Sequence, residues 1–144
     1  MNILTAKLLK EIGLKVTPQR QAVLKLLNGN VTHPSAENLY HELLKQFPGI
    51  SFATVYSTLS KLAEAGKIQE LDVDPTRKRF DPCTEFHHHF YCHVCGKVFD
   101  VEGGPLWSPD VDLLNTGNID GHQVDTVHVS LRGTCKDCGE GDKT

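Results

Sequence analysis

The chain has 144 residues, of which 23% are charged and 39% are hydrophobic, and its formal net charge at pH 7 is −3. No apolar run is long enough to cross a bilayer, so the sequence excludes a membrane-spanning protein. Residues 1–80 contain eleven Lys/Arg and seven Asp/Glu, whereas residues 81–144 contain four and eleven. A basic half suited to a polyanion and an acidic half suited to cations predict two domains, residues 1–82 and 83–144, unless the asymmetry is chance on solvated surfaces.

Capping residues and apolar periodicity predict four helices in the first domain. Thr17 is an expected N-cap, and Pro18 takes the first helical position, where its missing N–H has no cost. Ser35 and Ser51 are the expected caps of the last two helices. The four predicted segments end close to glycine or proline, and they cover about residues 5–12, 17–28, 35–48 and 51–66.

The fourth predicted helix has two different faces. Its apolar residues follow the spacing of a buried helical stripe: Phe52, Val55, Tyr56, Leu59, Leu62 and Ala63. The other face has small, mostly hydroxyl-bearing residues and no acid: Ala53, Thr54, Ser57, Thr58 and Lys61. A helix in the DNA major groove needs such a face, because its side chains approach base edges. The alternative is an ordinary surface helix, which usually carries Glu.

A hairpin is predicted after this helix. Residues 67–73 are extended, residues 74–76 form a turn, and Arg77, Lys78 and Arg79 lie on the return strand, where they would grip phosphate. Helices followed by a basic hairpin predict a winged helix-turn-helix.

Four cysteines form two Cys-x-x-Cys pairs, Cys92 with Cys95 and Cys135 with Cys138. Each pair can bind one side of a tetrahedral ion, so the pattern predicts a structural zinc site. Disulfides are the alternative. No secretory segment is recognisable at the start of the chain, and we therefore expect a cytoplasmic protein with reduced thiols.

The run from His87 to Cys92 contains three histidines bounded by aromatic residues and predicts a strand. Because strand side chains alternate, His87 and His89 would share one face, and His88 would share the other with Cys92. A polar loop is the alternative. Imidazole with carboxylate suits Fe²⁺, Mn²⁺ or Zn²⁺, and the nearby acids are Asp81, Glu85, Asp100 and Glu102.

Six segments follow one another through nearly the whole chain: residues 13–20 (GLKVTPQR), 33–36 (HPSA), 53–56 (ATVY), 79–81 (RFD), the histidine strand with CHVCGK, and the last Cys-x-x-Cys pair. In this arrangement the sequence resembles the ferric uptake regulator family. The resemblance implies an α+β protein with an N-terminal winged helix-turn-helix and a small α/β dimerisation domain that carries the four-cysteine zinc site. It also implies a homodimer that binds double-stranded DNA at an AT-rich inverted repeat.

Within that family the sequence is most similar to the peroxide-sensing repressors. The resemblance implies a regulatory Fe²⁺ or Mn²⁺ site made of His33, Asp81, His87, His89 and Asp100. Iron-sensing members usually have Glu where Asp100 stands, and their additional metal site would need ligands where this chain has Phe86 and Val127. We therefore expect that additional site to be absent.

Two departures from the family pattern concern DNA and dimerisation. Ser57 stands where iron-sensing members often have Arg, and the segment 103–121 is short, so its usual helix is expected to be truncated. We expect base contacts from Thr54, Tyr56 and Ser57, and contacts of Lys15 and Arg20 with phosphate or the minor groove.

The predicted function is a metal-dependent transcriptional repressor in which peroxide oxidises a histidine bound to Fe²⁺, so that metal and then DNA are released. The alternatives are an iron- or zinc-level sensor of the same family, a small non-haem metalloenzyme, and a zinc-ribbon interaction module. An enzyme has no need for the basic hairpin, and a zinc ribbon leaves His33 and Asp81 without a role. Structural or surface roles are expected for the remaining candidates: Cys83, His41, His122, His128 and Trp107. A redox role of Cys83 and a substitute ligand role of His88 or His122 remain open.

Overall fold

The structure is a computed structural model that describes residues 3–102, 117–125 and 129–139. The chain divides into two compact units, Met1–Glu85 and Phe86–Thr144, and each is described by itself. The sequence placed a domain boundary slightly earlier, after residue 82, and that assignment stays a prediction. No helix in the described ranges is long and apolar enough to cross a membrane. The expectations for most of the segment 103–121 lie outside the described residues, as do those for Trp107, Val127 and His128.

The first unit contains the predicted helices: α1 (Ala6–Glu11), α2 (Pro18–Leu27), α3 (Ala36–Leu44) and α4 (Phe52–Glu64). The predicted caps are confirmed. Thr17 accepts a hydrogen bond from the N–H of Arg20 at 3.2 Å, and Ser35 forms a capping box with Asn38. Each such cap satisfies an N–H that the helix itself leaves without a partner, which stabilises the helix by about 1 kcal/mol.

Helix α4 contributes one side to the apolar core of this unit. Its residues Val55, Leu59 and Leu62 are fully buried in a core that also contains side chains of α1, α2 and α3. Burial of each such side chain stabilises the fold by roughly 1.5–3 kcal/mol. The core therefore fixes which side of α4 faces solvent.

Three residues of α4 correct the predicted faces. Thr58, assigned to the outer face, is fully buried, whereas Phe52 and Tyr56, assigned to the buried stripe, are 38% and 43% exposed. Thr58 belongs to the buried side of the helix because it lies three residues after Val55 and four residues before Leu62. Thr58 tolerates burial because its hydroxyl donates to the carbonyl of residue 54 at 2.7 Å.

Two strands complete the first unit, β1 (Gln69–Leu71) and β2 (Arg79–Asp81). They pair antiparallel with Glu70 opposite Phe80. Since this hairpin follows the helices directly, the predicted winged helix-turn-helix is confirmed.

The basic residues of the hairpin differ from the expectation. Arg79 is turned inward and forms an ion pair with buried Asp74, with 2.8 Å between Nε and Oδ2. Lys78 pairs with the carboxylate of Glu70 across the strands, which raises the pKa of Lys78, and Arg77 is exposed. The expected phosphate contact is therefore wrong for Arg79.

The second unit is built on a sheet with β3 (His88–Cys92) in the centre. Strand β4 (Val98–Val101) pairs antiparallel on one side, and the strand Ser130–Gly133 pairs parallel on the other. The strand Ser130–Gly133 is β7. A small hairpin of β5 (Asn118–Ile119) and β6 (His122–Gln123) precedes it, and a short helix, α5 (Lys136–Gly139), follows it. Together the two units confirm the predicted α+β class.

Candidate functional site

The four predicted zinc ligands lie together in the second unit. The sulfur atoms of Cys92, Cys95, Cys135 and Cys138 are within 4.8 Å of one another, and those of Cys95 and Cys135 are 3.9 Å apart. Thiolates bound to zinc at about 2.3 Å lie about 3.8 Å apart at the tetrahedral angle, so the spacing fits that ion. None of the five cysteines is in a disulfide.

The parallel pairing of β3 with β7 explains why two distant Cys-x-x-Cys pairs meet. Cys92 lies opposite Gly133 in the register, and the N–H of His93 donates to the carbonyl of Gly133 at 3.0 Å. The chain therefore leaves β7 beside Cys92, and the N–H of Cys135 donates to the Cys92 sulfur at 3.3 Å.

Hydrogen bonding makes the thiols unequal. Backbone N–H groups, that of Cys95 foremost, donate to the Cys92 sulfur and lower its pKa to about 6. A side-chain hydrogen bond with Cys135, together with burial, raises the pKa of Cys138 to about 12. A thiolate is thus more favoured at Cys92 than at Cys138, and a bound divalent cation would stabilise all four thiolates.

In the first unit, His33 and Asp81 form a buried pair of potential metal ligands. Nε2 of His33 lies 3.4 Å from Oδ2 of Asp81, and the side chains are 1% and 3% exposed. The N–H of Phe80 donates to the carbonyl of Pro34 at 2.9 Å, which fixes β2 against the segment that carries His33. The other Asp81 oxygen, Oδ1, accepts from the N–H of Cys83 at 2.9 Å.

In the second unit, His87, His89 and Asp100 form a second group. His87 directly precedes β3, and its ring centroid is 4.4 Å from that of His89 on the same face of the strand. Asp100 lies opposite His89 on β4, and its Oδ1 atom is 3.0 Å from Nε2 of His87 and 3.5 Å from Nε2 of His89.

Both groups have the donor spacing of a metal site. With bonds of about 2.1 Å, two ligand atoms on one ion lie about 3.0 Å apart at 90° and about 3.4 Å apart at the tetrahedral angle. The contacts within each group, 3.4 Å in the first unit and 3.0 Å in the second, agree with those values. Imidazole and carboxylate donors suit Fe²⁺, Mn²⁺ and Zn²⁺ alike.

The expected DNA-contacting residues differ in their exposure to solvent and in their hydrogen bonds. Tyr56, Ser57 and Lys15 are exposed. The Thr54 hydroxyl lies 2.8 Å from that of the N-cap Ser51 at the start of α4. Arg20 is half-buried, and its Nη1 donates to the carbonyl of Lys15 at 2.8 Å. This hydrogen bond ties the start of α2 to the segment that precedes it.

Sequence reasoning missed two features of the first unit. One is Asp74, which accepts from Arg79 and from the backbone and hydroxyl of Thr76; the Asp-x-Thr spacing of an Asx turn was the available signal. The other is an aromatic row in which the ring of Phe52 lies edge-on to Tyr40 at 5.6 Å and 6.0 Å from Tyr56.

The residues expected to have lesser roles are at varied depths. Cys83 is half-buried, whereas His41 and His122 are exposed. His88 is buried with its ring edge-on to Phe86 at 5.1 Å.

Comparison with known proteins identifies the family of this chain. The Ferric uptake regulator family profile matches residues 11–132. The chain belongs to this family. It is therefore a metal-dependent transcriptional regulator and not an enzyme, and its cysteines and its His/Asp donors are groups suited to metal binding.

Individual relatives give a finer comparison. The chain is 36% identical over 132 residues to the peroxide operon regulator of Bacillus subtilis, with 92% of this chain and 89% of the relative covered. It is 37% identical over 130 residues to the peroxide-responsive repressor PerR of Staphylococcus saprophyticus, with 90% and 86% covered. Among solved structures, the Vibrio cholerae ferric uptake regulator, whose DNA-binding domains are described as rearranged, matches with a TM-score of 0.73 at 29% identity and 90% and 98% coverage.

Proposed function

We propose that this chain is a cytoplasmic repressor that senses hydrogen peroxide through a regulatory Fe²⁺ site. The proposed ligands are His33, Asp81, His87, His89 and Asp100. The observation that carries the proposal is the buried His33–Asp81 pair, which joins the segment before α3 to the wing strand β2 with its ligand atoms 3.4 Å apart. Its relatives among peroxide-responsive repressors support the same reading.

The candidate donors are divided between the two units. The first unit offers two ligands, whereas the second unit offers three from one face of a sheet. We infer that both bind the same ion, so that metal binding fixes the DNA-binding unit relative to the second unit. A ligand shifts an equilibrium only by its differential affinity for the two states, and a ligand set shared between units supplies that difference.

Iron supplies the redox chemistry that peroxide sensing needs, whereas zinc has none. The chain contributes the imidazoles that are oxidised and the acids that hold the cation. Loss of one imidazole ligand weakens metal binding, and the two units are then no longer tied together. The repressor leaves DNA as a consequence.

Zinc has a different role in this proposal. Cys92, Cys95, Cys135 and Cys138 hold a structural Zn²⁺ that stabilises the second unit, since its sheet is small and its two cysteine pairs come from segments far apart in sequence. Because zinc fixes the ends of β3 and β7, it also supports dimerisation.

Dimerisation and DNA contact complete the proposal. In a dimer, two copies of α4 would enter successive major grooves of an AT-rich inverted repeat. Tyr56, Thr54 and Ser57 would meet bases, while Lys15 and Arg20 would contact phosphate or the minor groove. The exposure of Tyr56 and the absence of an acid from residues 53–58 support this assignment.

The test is DNA binding to an AT-rich palindrome by zinc-loaded protein supplied with Fe²⁺ or Mn²⁺, before and after peroxide. We expect tight binding with either metal, and loss after peroxide with Fe²⁺ only. Binding that depends on Fe²⁺ but survives peroxide would replace this function with iron-level sensing. Binding that needs only Zn²⁺ at the regulatory site would replace it with zinc-level sensing.

A further inference from the structure

Arg79 connects the wing to the backbone of a proposed metal ligand. Its Nε atom pairs with Oδ2 of Asp74 at 2.8 Å, and its Nη1 donates to the carbonyl of His33 at 3.2 Å. The side chains of Arg79 and Asp74 are only 13% and 1% exposed. A residue in a basic run on a DNA-binding hairpin is thus used inside the unit.

The carbonyl that Arg79 holds belongs to a residue in an uncommon conformation. The φ angle of His33 is +54°, which residues other than glycine rarely adopt. Such a conformation persists only where its surroundings enforce it. The hydrogen bonds from Arg79 to His33 and from the N–H of Phe80 to Pro34 hold two successive carbonyls of this segment to β2. In this conformation the His33 imidazole faces Asp81.

Asp74 is also held in place by hydrogen bonds that do not involve Arg79. Its Oδ1 accepts from the N–H of Thr76 at 2.8 Å and from its hydroxyl at 2.7 Å. Oδ2 therefore points at the guanidinium. Burial raises the pKa of Asp74, but the hydrogen bonds from Thr76 and Arg79 outweigh it and hold the pKa below its ordinary value, so Asp74 is ionised at neutral pH.

We propose that Arg79, oriented by Asp74, is a positioning residue that holds His33 in its left-handed conformation and thereby sets the affinity of the regulatory metal. The proposal rests on the proposed function in one respect, the assignment of His33 as a ligand. It gives the wing a role in metal sensing that does not involve contact with DNA.

Electrostatics distinguishes positioning from a simple charge effect. Arg79 is a cation near a proposed cation site, so its removal should strengthen metal binding if only its charge mattered. Positioning predicts the opposite sign. Partners that orient a metal ligand typically change metal affinity by tenfold to a hundredfold when they are removed.

The experiment is a Mn²⁺ titration of full-length, zinc-loaded protein and of Arg79→Gln, Arg79→Lys and Asp74→Asn. We expect each variant to weaken Mn²⁺ binding by roughly tenfold to a hundredfold. Arg79→Lys keeps the charge, and a single ammonium cannot reproduce the forked contacts to Asp74 and His33. The matched control is Lys78→Gln, which removes the same charge from the neighbouring exposed residue and should leave Mn²⁺ affinity unchanged. Unchanged or tighter Mn²⁺ binding by Arg79→Gln and Arg79→Lys would overturn the proposal.

A double-mutant cycle between Arg79 and His33 separates positioning from general stability. If Arg79 acts through His33, Arg79→Gln should change the residual Mn²⁺ affinity of His33→Ala by no more than about twofold. The same large loss in both backgrounds would show a merely structural role and overturn the proposal. Should His33→Ala itself leave Mn²⁺ affinity unaltered, the ligand set of the proposed function would fail. Weak binding by His33→Ala with normal binding by Arg79→Gln would reject this inference alone.

Discussion

Asp100 lies directly opposite His89 in the antiparallel register of β3 and β4, with its Oδ1 atom 3.5 Å from Nε2 of His89. Residues opposite each other in a sheet place their side chains on the same face. His87 lies two residues before His89 and shares that face, so three potential metal ligands meet on one side of the sheet. The acid at position 100 is therefore positioned by backbone hydrogen bonds and needs no loop to bring it into place.

Replacing Asp100 by Asn should weaken the regulatory metal and spare the zinc. The variant keeps the size of the side chain but loses the anionic oxygen that hard divalent cations prefer. We expect Mn²⁺ affinity to fall by at least about tenfold, because even outer partners of metal ligands have effects of that size. Equilibrium titration with Mn²⁺ measures it.

The control for this prediction is Asp120→Asn on the turn between β5 and β6. Asp120 is exposed, its φ angle is +50°, and Asn tolerates that conformation. It loses the same charge from the same unit. Equal losses of affinity in both variants would show that Asp100 acts only through net charge.

Zinc removal should unfold the second unit. In Cys92→Ser or Cys135→Ser one thiolate is missing, and metal binding in such small units contributes folding free energy on the order of 10 kcal/mol. We expect loss of one tightly bound zinc per chain and of most of the dimer, measured by zinc release and light scattering. Cys83→Ser is the matched control and should keep its zinc. Normal melting and normal dimerisation of Cys92→Ser would contradict the four-thiolate site.

Substitutions on the proposed DNA face should separate affinity from specificity. Lys15→Ala or Arg20→Ala should weaken binding to all sequences and flatten the salt dependence by about one unit per lost phosphate contact. Tyr56→Ala should instead reduce discrimination between operator and random DNA. Fluorescence titrations at several salt concentrations measure both effects. Equal losses on both DNAs for Tyr56→Ala would remove Tyr56 from the recognition set.

Acid should weaken the wing through Asp74. The pKa of Asp74 is below its ordinary value of 3.8 in the folded protein. A carboxyl with a lowered folded pKa adds stability above its unfolded pKa and loses it as the pH falls through the folded value. The difference in unfolding free energy between the natural protein and Asp74→Asn should thus be constant above about pH 5 and shrink below about pH 4. Circular dichroism at the helical band reports on the first unit, which contains α1 to α4. A difference that grows on acidification would contradict this assignment.

Much of the fold followed from local sequence signals. Thr17 before Pro18 and Ser35 before α3 are caps, and caps depend on neighbours within three residues. The Cys-x-x-Cys pairs and the alternation of His87 and His89 are equally local. These two patterns predicted which side chains lie together, because thiolates and imidazoles at such spacings are typical of metal ligands.

What could not be predicted depends on tertiary packing. The buried position of Thr58 depends on where the core lies around α4, which its own sequence does not define. The inward turn of Arg79 needs Asp74 and the carbonyl of His33, a residue 46 positions away in sequence. A basic run on a hairpin gives no sign of which member turns inward.

Peroxide sensing through iron-bound histidines is tested most directly by mass spectrometry of peptides. The full-length, zinc-loaded protein is treated with peroxide in the presence of Fe²⁺ or of Mn²⁺. We expect one added oxygen atom on His33 and one on His87 in the iron-loaded protein, and none with manganese. Modification of Cys83 or a disulfide among the four thiolates, with both histidines unchanged, would contradict this expectation and identify a thiol switch.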